Sequence, residues 1–495
     1  MKLHDGPHRA SYILLVALAI IFVISLLPLN RLTGGALRDF SLVDDIVAER
    51  YRVQTEEIVA DEAPVDSALT AMQRELEEEE KAGGVIAEHH ESAIPADVSV
   101  LHSDSVAAEE VTVRVVPEPI DPKREGYVAI EDYTSDGSGM ARLRTAFSQS
   151  RNRCVRLAFV GDSYIEGDIF TQDVRSLLQT NFGGSGVGYV NMYSEFPGFR
   201  RSVRQSGGGW SVSVAGHKGF KRSYAWLSEQ YSTPKSGETA HARYSGTGKV
   251  PHAASWSRST LAFWAPEGGS VKVRSNGGPW DLHEVAPSED IATVTVDSVS
   301  TESFEVSIPS GKGITALGVW LDANAGVAVD CMSSRGFSGV TLRDVSPQVC
   351  RQLSEHGLGY DLIVLEFGIN AMSASQTDYT SYGKLMTKVV DHIHLCYPDA
   401  VVMLMGIGDR GQKRGADVQS MPAAAAMVAA QRDVARNTGC LFWDTRQAMG
   451  GDGAIVAWAN ASPPRANKDY IHLNHHGGSV LAAEFVKSLR HALEN

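Results

Sequence analysis

CVRLAFVGDSYIEGDIFTQDVRSLLQTNFGG, residues 154–184, decides the fold. Its first part is a mostly apolar run, interrupted by Arg156, that ends in a turn, as expected of a buried strand. Behind the turn, Ile169, Val174, Leu177 and Leu178 recur at helical spacing, and paired glycines stop the helix. The same alternation returns downstream. DLIVLEFG (361–368), AVVMLMGIG (400–408) and CLFWDT (440–445) read as strands. Helical segments follow near 377–396 and 420–438, and SVLAAEFVKSLRHAL (479–493) is a last helix. Near-continuous apolar strands alternating with helices predict an α/β domain with a parallel sheet covered on both faces.

Between these elements the texture changes. From 195 to 325, Gly, Ser and Trp are frequent, and short alternating stretches such as STLAFWA (259–265), SVKVRS (270–275), ATVTVDSV (292–299) and SFEVSIP (303–309) read as turn-separated strands. An all-β segment bounded by α/β elements predicts an inserted β-sandwich, dividing the α/β domain into 146–194 and 326–495. Six tryptophans lie in it: Trp210, Trp226, Trp256, Trp264, Trp280 and Trp320. They could form a sugar-stacking face, but a small sandwich needs large inward side chains, so most are expected in its core.

Upstream, residues 31–145 are acidic and poor in aromatics, and include ALTAMQRELEEEEKAGG (68–84). This composition predicts a helical or disordered stalk. Residues 1–30 carry YILLVALAIIFVISLLPL from Tyr12 to Leu29, long enough for a short transmembrane helix, with Lys2 and Arg9 before it. LNRLTGGA offers only a poor cleavage site, so a retained anchor is favoured over a signal peptide. Either way the remainder is expected to be exported, to a periplasmic or extracellular location.

The 495 residues carry a formal net charge of −14 and no Lys/Arg cluster, so no nucleic-acid partner is expected. Cys154, Cys331, Cys350, Cys396 and Cys440 have no CxxC spacing, which predicts no metal site. An oxidising compartment would permit a disulfide, of a pairing the sequence leaves open, and buried free thiols are the simpler expectation.

Ser163 ends the first strand, where ligands bind in open α/β sheets. GDS alone occurs by chance in about one chain in ten of this length, and Asp162 or Ser163 could simply cap the next helix. Near the C-terminus, DYIH places Asp469 and His472 three residues apart, one side of a helical turn. A carboxylate there can hold the imidazole in the tautomer that accepts a serine proton. His475 and His476 read as surface residues or as the start of the last helix, without the spacing of a metal pair.

Taken together, GDS after the first strand, a loop glycine, an asparagine after a later strand and DxxH before the last helix resemble the SGNH/GDSL hydrolase superfamily. The resemblance covers about 150–195 and 326–495. It implies that Ser163 attacks an ester carbonyl, His472 acts as base and then acid, and Asp469 orients His472. It further implies an oxyanion hole from the amides of Ser163 and of Gly339 in RGFSGVT and the side chain of Asn370 in FGINAM. Gly336 is a rival for that glycine. Ala371 stands where GxND is common, and Tyr164, after the serine, either lines the pocket or packs. No cofactor is required. GDSYIEGDIFTQDVRSLLQTNFGGSGVGY followed by a β-insert is similar to exported peptidoglycan O-acetylesterases, whose insert resembles a carbohydrate-binding module. That implies an acetylated polysaccharide substrate, peptidoglycan first. The alternatives are an O-acetyltransferase with the same triad and a non-catalytic glycan-binding envelope protein. Oligomeric state is not legible.

Overall fold

The computed structural model describes residues 126–494 other than 195, 311, 312 and 416, together with Arg74. Every described residue lies in one compact unit, within Glu62–Asn495. The expected anchor over 1–30 and most of the expected stalk therefore lie outside the described residues. Among the described residues no helix is long and apolar enough to cross a membrane.

The sheet of the α/β domain is assembled from six strands: β1 (Glu131–Asp132), β2 (Cys154–Gly161), β3 (Gly326–Ser333), β4 (Leu362–Glu366), β5 (Val401–Met405) and β6 (Leu441–Trp443). Their order is β1-β6-β5-β4-β2-β3. Neighbours from β6 to β3 pair in parallel, and β1 closes one edge antiparallel, Glu131 opposite Phe442. Because strand side chains alternate, β2 sends Leu157 and Phe159 to one face and Ala158 and Val160 to the other. Helices α1 (Ser138–Ser148), α2 (Thr171–Phe182) and the last helix (His475–Glu494) cover the first face through Leu143, Phe147, Leu178, Phe485 and Leu489. Helices Thr380–Cys396 and Pro422–Thr438 cover the second through Leu385, Val389, Met427 and Val434.

The expected stalk boundary at 145 requires correction. Glu131 and Asp132 are a sheet strand, and Met140, Leu143, Ala146 and Phe147 are core residues of α1. The α/β domain thus begins before 131. Its short edge strand, shielded by one partner only, carries too little apolar pattern to be read from sequence.

The insert is a sandwich of two antiparallel sheets. One contains 203–208, 240–246, 269–275, 281–285 and 303–308; the other contains 210–214, 230–234, 256–265, 288–301 and 315–322. Gly186–Val190 joins the second sheet by pairing with 315–322, so the insert begins at 186 instead of 195. Five of its six tryptophans are buried, Trp210 and Trp256 between the sheets and Trp226, Trp264 and Trp320 against the α/β domain. Trp280 alone is 41% exposed, with the Arg274 guanidinium 4.4 Å from its ring centroid.

A buried polar network joins sandwich and sheet. Arg156 on β2 donates to Asp322 of the sandwich at 2.7 Å and pairs with Asp330 on β3 at 3.3 Å. Asp330 also accepts from the Trp320 indole at 2.9 Å, the Tyr360 hydroxyl at 3.0 Å and the Tyr189 amide at 2.8 Å. All five described cysteines are free thiols.

Candidate active site

The site lies at the carboxyl ends of β2, β3 and β4, where each chain segment leaves the apolar sheet and turns. Ser163 lies two residues beyond the end of β2, and its Oγ lies 3.0 Å from His472 Nε2. His472 Nδ1 lies 2.9 Å from Asp469 Oδ2. The other Asp469 oxygen accepts from the Ile471 and His472 amides at 2.9 and 3.0 Å. Asp469 and His472 are therefore held by an Asx-type turn preceding the last helix, with Tyr470 at φ +58°, and not by the helical turn expected from spacing. Burial pushes the Asp469 carboxyl up, but the His472 hydrogen bond and charge, with the two amides, hold it below the usual carboxylate range. An ionised Asp469 beside Nδ1 leaves Nε2 free to accept the serine proton.

Asp162 does not cap a helix. Its Oδ1 accepts from the Tyr164 amide at 2.9 Å and its Oδ2 from Asn370 Nδ2 at 2.9 Å, which shapes the turn that presents Ser163. Beneath it lies the Glu366 carboxyl, buried and with neither oxygen hydrogen-bonded. Burial pushes Asp162 up to about 7. Burial first, and then the adjacent Asp162 charge, raises Glu366 well above the carboxylate range. Two charges so close in one apolar site disfavour each other, and of the pair it is Asp162 whose two oxygens both accept hydrogen bonds. The turn needs Gly161, since a Cβ there would lie 2.6 Å from the Glu366 carbonyl oxygen.

The oxyanion candidates divide. Among the described residues, neither the Ser163 nor the Gly339 amide donates to another backbone group. Gly339 sits at φ +88°, where a Cβ would come within 2.7 Å of the Phe367 ring. Gly336, the rival, has open space around it. Asn370 reaches the same region, but its amide nitrogen donates both to Asp162 and, at 3.0 Å, to the Phe337 carbonyl. Both its hydrogens are committed, so the side chain ties the glycine loop to the Ser163 turn. Tyr164 packs, fully buried, with its hydroxyl 3.2 Å from Met449 Sδ. His475 opens the last helix, and burial, then the nearby Arg201 charge, pulls it down to about 4.

Several supporting residues carry no sequence signal. Arg410 is buried; its Nη1 donates to the Ile369 carbonyl at 3.0 Å, and the next amide, Gly411, donates to the Tyr470 carbonyl at 2.8 Å. This one segment fastens the Asn370 turn to the Asp469–His472 turn. Asp168, four residues from buried Tyr164, pairs with Arg175 at 2.7 Å and with Arg200 at 3.3 Å. Among the described residues no cluster of His, Cys, Asp and Glu could hold a metal ion.

Residues 307–478 match the GDSL-like lipase/acylhydrolase family. The match includes Gly339, Asn370, Asp469 and His472; Ser163 lies outside it, separated in sequence by the sandwich. This stretch, about a third of the chain, is similar to that family and supports a carboxylic ester hydrolase. In fold the chain is similar to a peptidoglycan O-acetylesterase. A solved structure described as a peptidoglycan O-acetylesterase in action shares its fold at a TM-score of 0.58 and 20% identity, with 74% of this chain and 99% of that one covered. A family two carbohydrate esterase from Cellvibrio japonicus aligns at a TM-score of 0.26 and 12% identity, covering 59% of this chain and 98% of that one. An acetyl xylan esterase aligns at 0.25 and 17% identity, covering 33% and 81%. No curated protein matches the chain in sequence.

Proposed function

We propose that this protein is a serine O-acetylesterase that removes acetyl groups from an envelope polysaccharide, peptidoglycan, through an acyl-enzyme on Ser163. The observation that carries the reading is the unbroken chain from Ser163 Oγ to His472 at 3.0 Å and from His472 to Asp469 at 2.9 Å. The likeness in fold to a peptidoglycan O-acetylesterase supports the substrate class. A retained N-terminal helix would hold the catalytic region outside the cytoplasmic membrane, within reach of that polymer.

In this mechanism Nε2 of His472 takes the Ser163 proton as Oγ attacks the acetyl carbonyl. Asp469 stabilises the imidazolium, which then protonates the departing sugar oxygen. Water, deprotonated by the same nitrogen, releases acetate and regenerates Ser163. The Ser163 and Gly339 amides are the donors for the developing oxyanion. Asn370 acts by keeping both in place, and enters the hole only if it gives up one of its present acceptors. No step needs a cofactor.

The test is acetate release from O-acetylated peptidoglycan by the full-length protein beside Ser163→Ala. Release by the parent and none above background by the variant is expected. Equal release by both would refute the nucleophile. Transfer of acetyl from a donor to a sugar hydroxyl, in excess over free acetate, would replace hydrolysis with transfer. Glycan binding without acetate release from any ester would leave a binding protein.

A further inference from the structure

The seam between the catalytic sheet and the sandwich encloses a cleft of about 470 Å³. Neither Ser163 nor His472 lines it, yet its floor touches the nucleophile turn. The Glu166 amide donates to the Ser163 carbonyl at 3.3 Å, and Ser333 Oγ donates to the Asp162 carbonyl at 2.9 Å. At its rim Phe196 and Phe199 are 65% and 47% exposed, their rings 5.7 Å apart and within 20° of parallel. Large apolar side chains are usually covered, so two open rings lying side by side mark a surface that receives something.

The pair is held in place from below. The Phe199 carbonyl oxygen lies against Gly167, where a Cβ would come within 3.0 Å. The next residue, Arg200, donates to the Tyr189 and Val187 carbonyls at 2.7 Å each and to the buried Asp168 carboxylate, to which Ser202 also donates. Asp168 belongs to the turn after Ser163, so the aromatic rim and the nucleophile share one foundation. Inside the cleft, the side chains of Asn191, His217 and Gln230 make no hydrogen bond to another described residue. Flat apolar rings beside unengaged amides and an imidazole suit one ligand chemistry. The C–H face of a sugar ring stacks on an aromatic, and its hydroxyls bond to the polar groups beyond.

We propose that this cleft is a glycan subsite, which holds the sugar units adjoining the one whose acetyl ester reaches Ser163. The proposal rests on the esterase reading above and adds that substrate choice depends on a chain of sugars instead of an isolated ester. The sandwich then contributes to specificity through the strands and loop facing the Ser163 turn, and not through its five buried tryptophans.

The experiment compares the full-length parent with the Phe196→Ala/Phe199→Ala double variant on O-acetylated peptidoglycan fragments, from a single acetylated sugar to a hexasaccharide. For the parent, kcat/KM is expected to rise about tenfold or more with chain length, and for the double variant this gain is expected to vanish through KM. An equal gain in both proteins overturns the subsite. A second measurement works without turnover: in a Ser163→Ala background, co-sedimentation with insoluble O-acetylated peptidoglycan is expected to be lost when both phenylalanines are removed. Retained sedimentation overturns the subsite, as does loss of binding only to phosphatidylglycerol vesicles, which would assign the rings to a membrane surface. If the parent cleaves only small aryl acetates, the glycan esterase reading fails by itself, and sedimentation still decides whether the cleft takes glycan.

Discussion

The catalytic sheet and the inserted sandwich are built from opposite strand patterns, and the chemistry follows the pattern. In β4 and β5 every residue is buried, because helices cover both faces. Such strands keep their side chains from solvent along their length. The groups to which the proposal assigns roles lie where the strands stop: Ser163 beyond β2, Asn370 beyond β4, and Asp469 and His472 in the turn before the last helix. In the sandwich, 240–246 buries Ala240, Ala242 and Tyr244 and exposes His241 and Arg243. A half-exposed strand can present polar groups along its length, so this region suits binding more than catalysis.

The sharpest way to test that division is to remove the nucleophile. Ser163→Ala should lower kcat on an acetyl ester by about 10⁴-fold or more while leaving the melting temperature near that of the parent. A substantial residual rate would mean that the reacting group lies elsewhere. The seam between the two regions should show the reverse signature. Arg156→Ala leaves Asp322 and Asp330 buried without their shared cation, and should cost about 3–5 kcal/mol of stability, read by denaturant unfolding. Burial raises Asp322 while Arg156 lowers it, so the variant also moves toward a protonated Asp322.

Asn370→Ala should reduce kcat by about 10²–10³-fold whether the side chain acts directly or by position. The two routes separate in structure: loss of position moves the 336–339 loop, visible as changed amide exchange there, and loss of a donor alone does not.

The smallest effect is on pH dependence. Glu366 is raised in the folded protein, so between its ordinary pKa and its folded one the native state holds a proton that the unfolded chain has released. Stability therefore falls as pH rises through that window, at about 1.4 kcal/mol per pH unit per proton. Glu366→Gln should flatten the fall, seen as a melting temperature less sensitive to pH above about 4.5. Asp469 has the opposite sign, contributing stability that is lost as pH falls through its lowered folded pKa. An unchanged pH profile in Glu366→Gln would mean that the carboxyl is charged and has found a partner.

What the sequence discloses has a physical boundary. The triad is legible because each member lies in a short local pattern, strand–turn–helix for Ser163 and DxxH for Asp469 and His472. The parallel sheet is legible from its apolar runs. β3, GVAVDCMS, is harder to read because Asp330 interrupts its pattern, and that aspartate is explained only by Arg156, Trp320 and Tyr360 converging on it. The double commitment of Asn370 is likewise a fact of three dimensions, set by where Asp162 and Phe337 lie. The rim of Phe196 and Phe199 looks like any pair of core aromatics until its exposure is known.

The most direct test of the central claim is to quench the full-length protein in acid during turnover of an acetyl ester and map acetylated peptides by mass spectrometry. The account predicts acetyl on Ser163 in the parent and none in Ser163→Ala. Acetyl confined to another residue, with acetate release intact in Ser163→Ala, would contradict it.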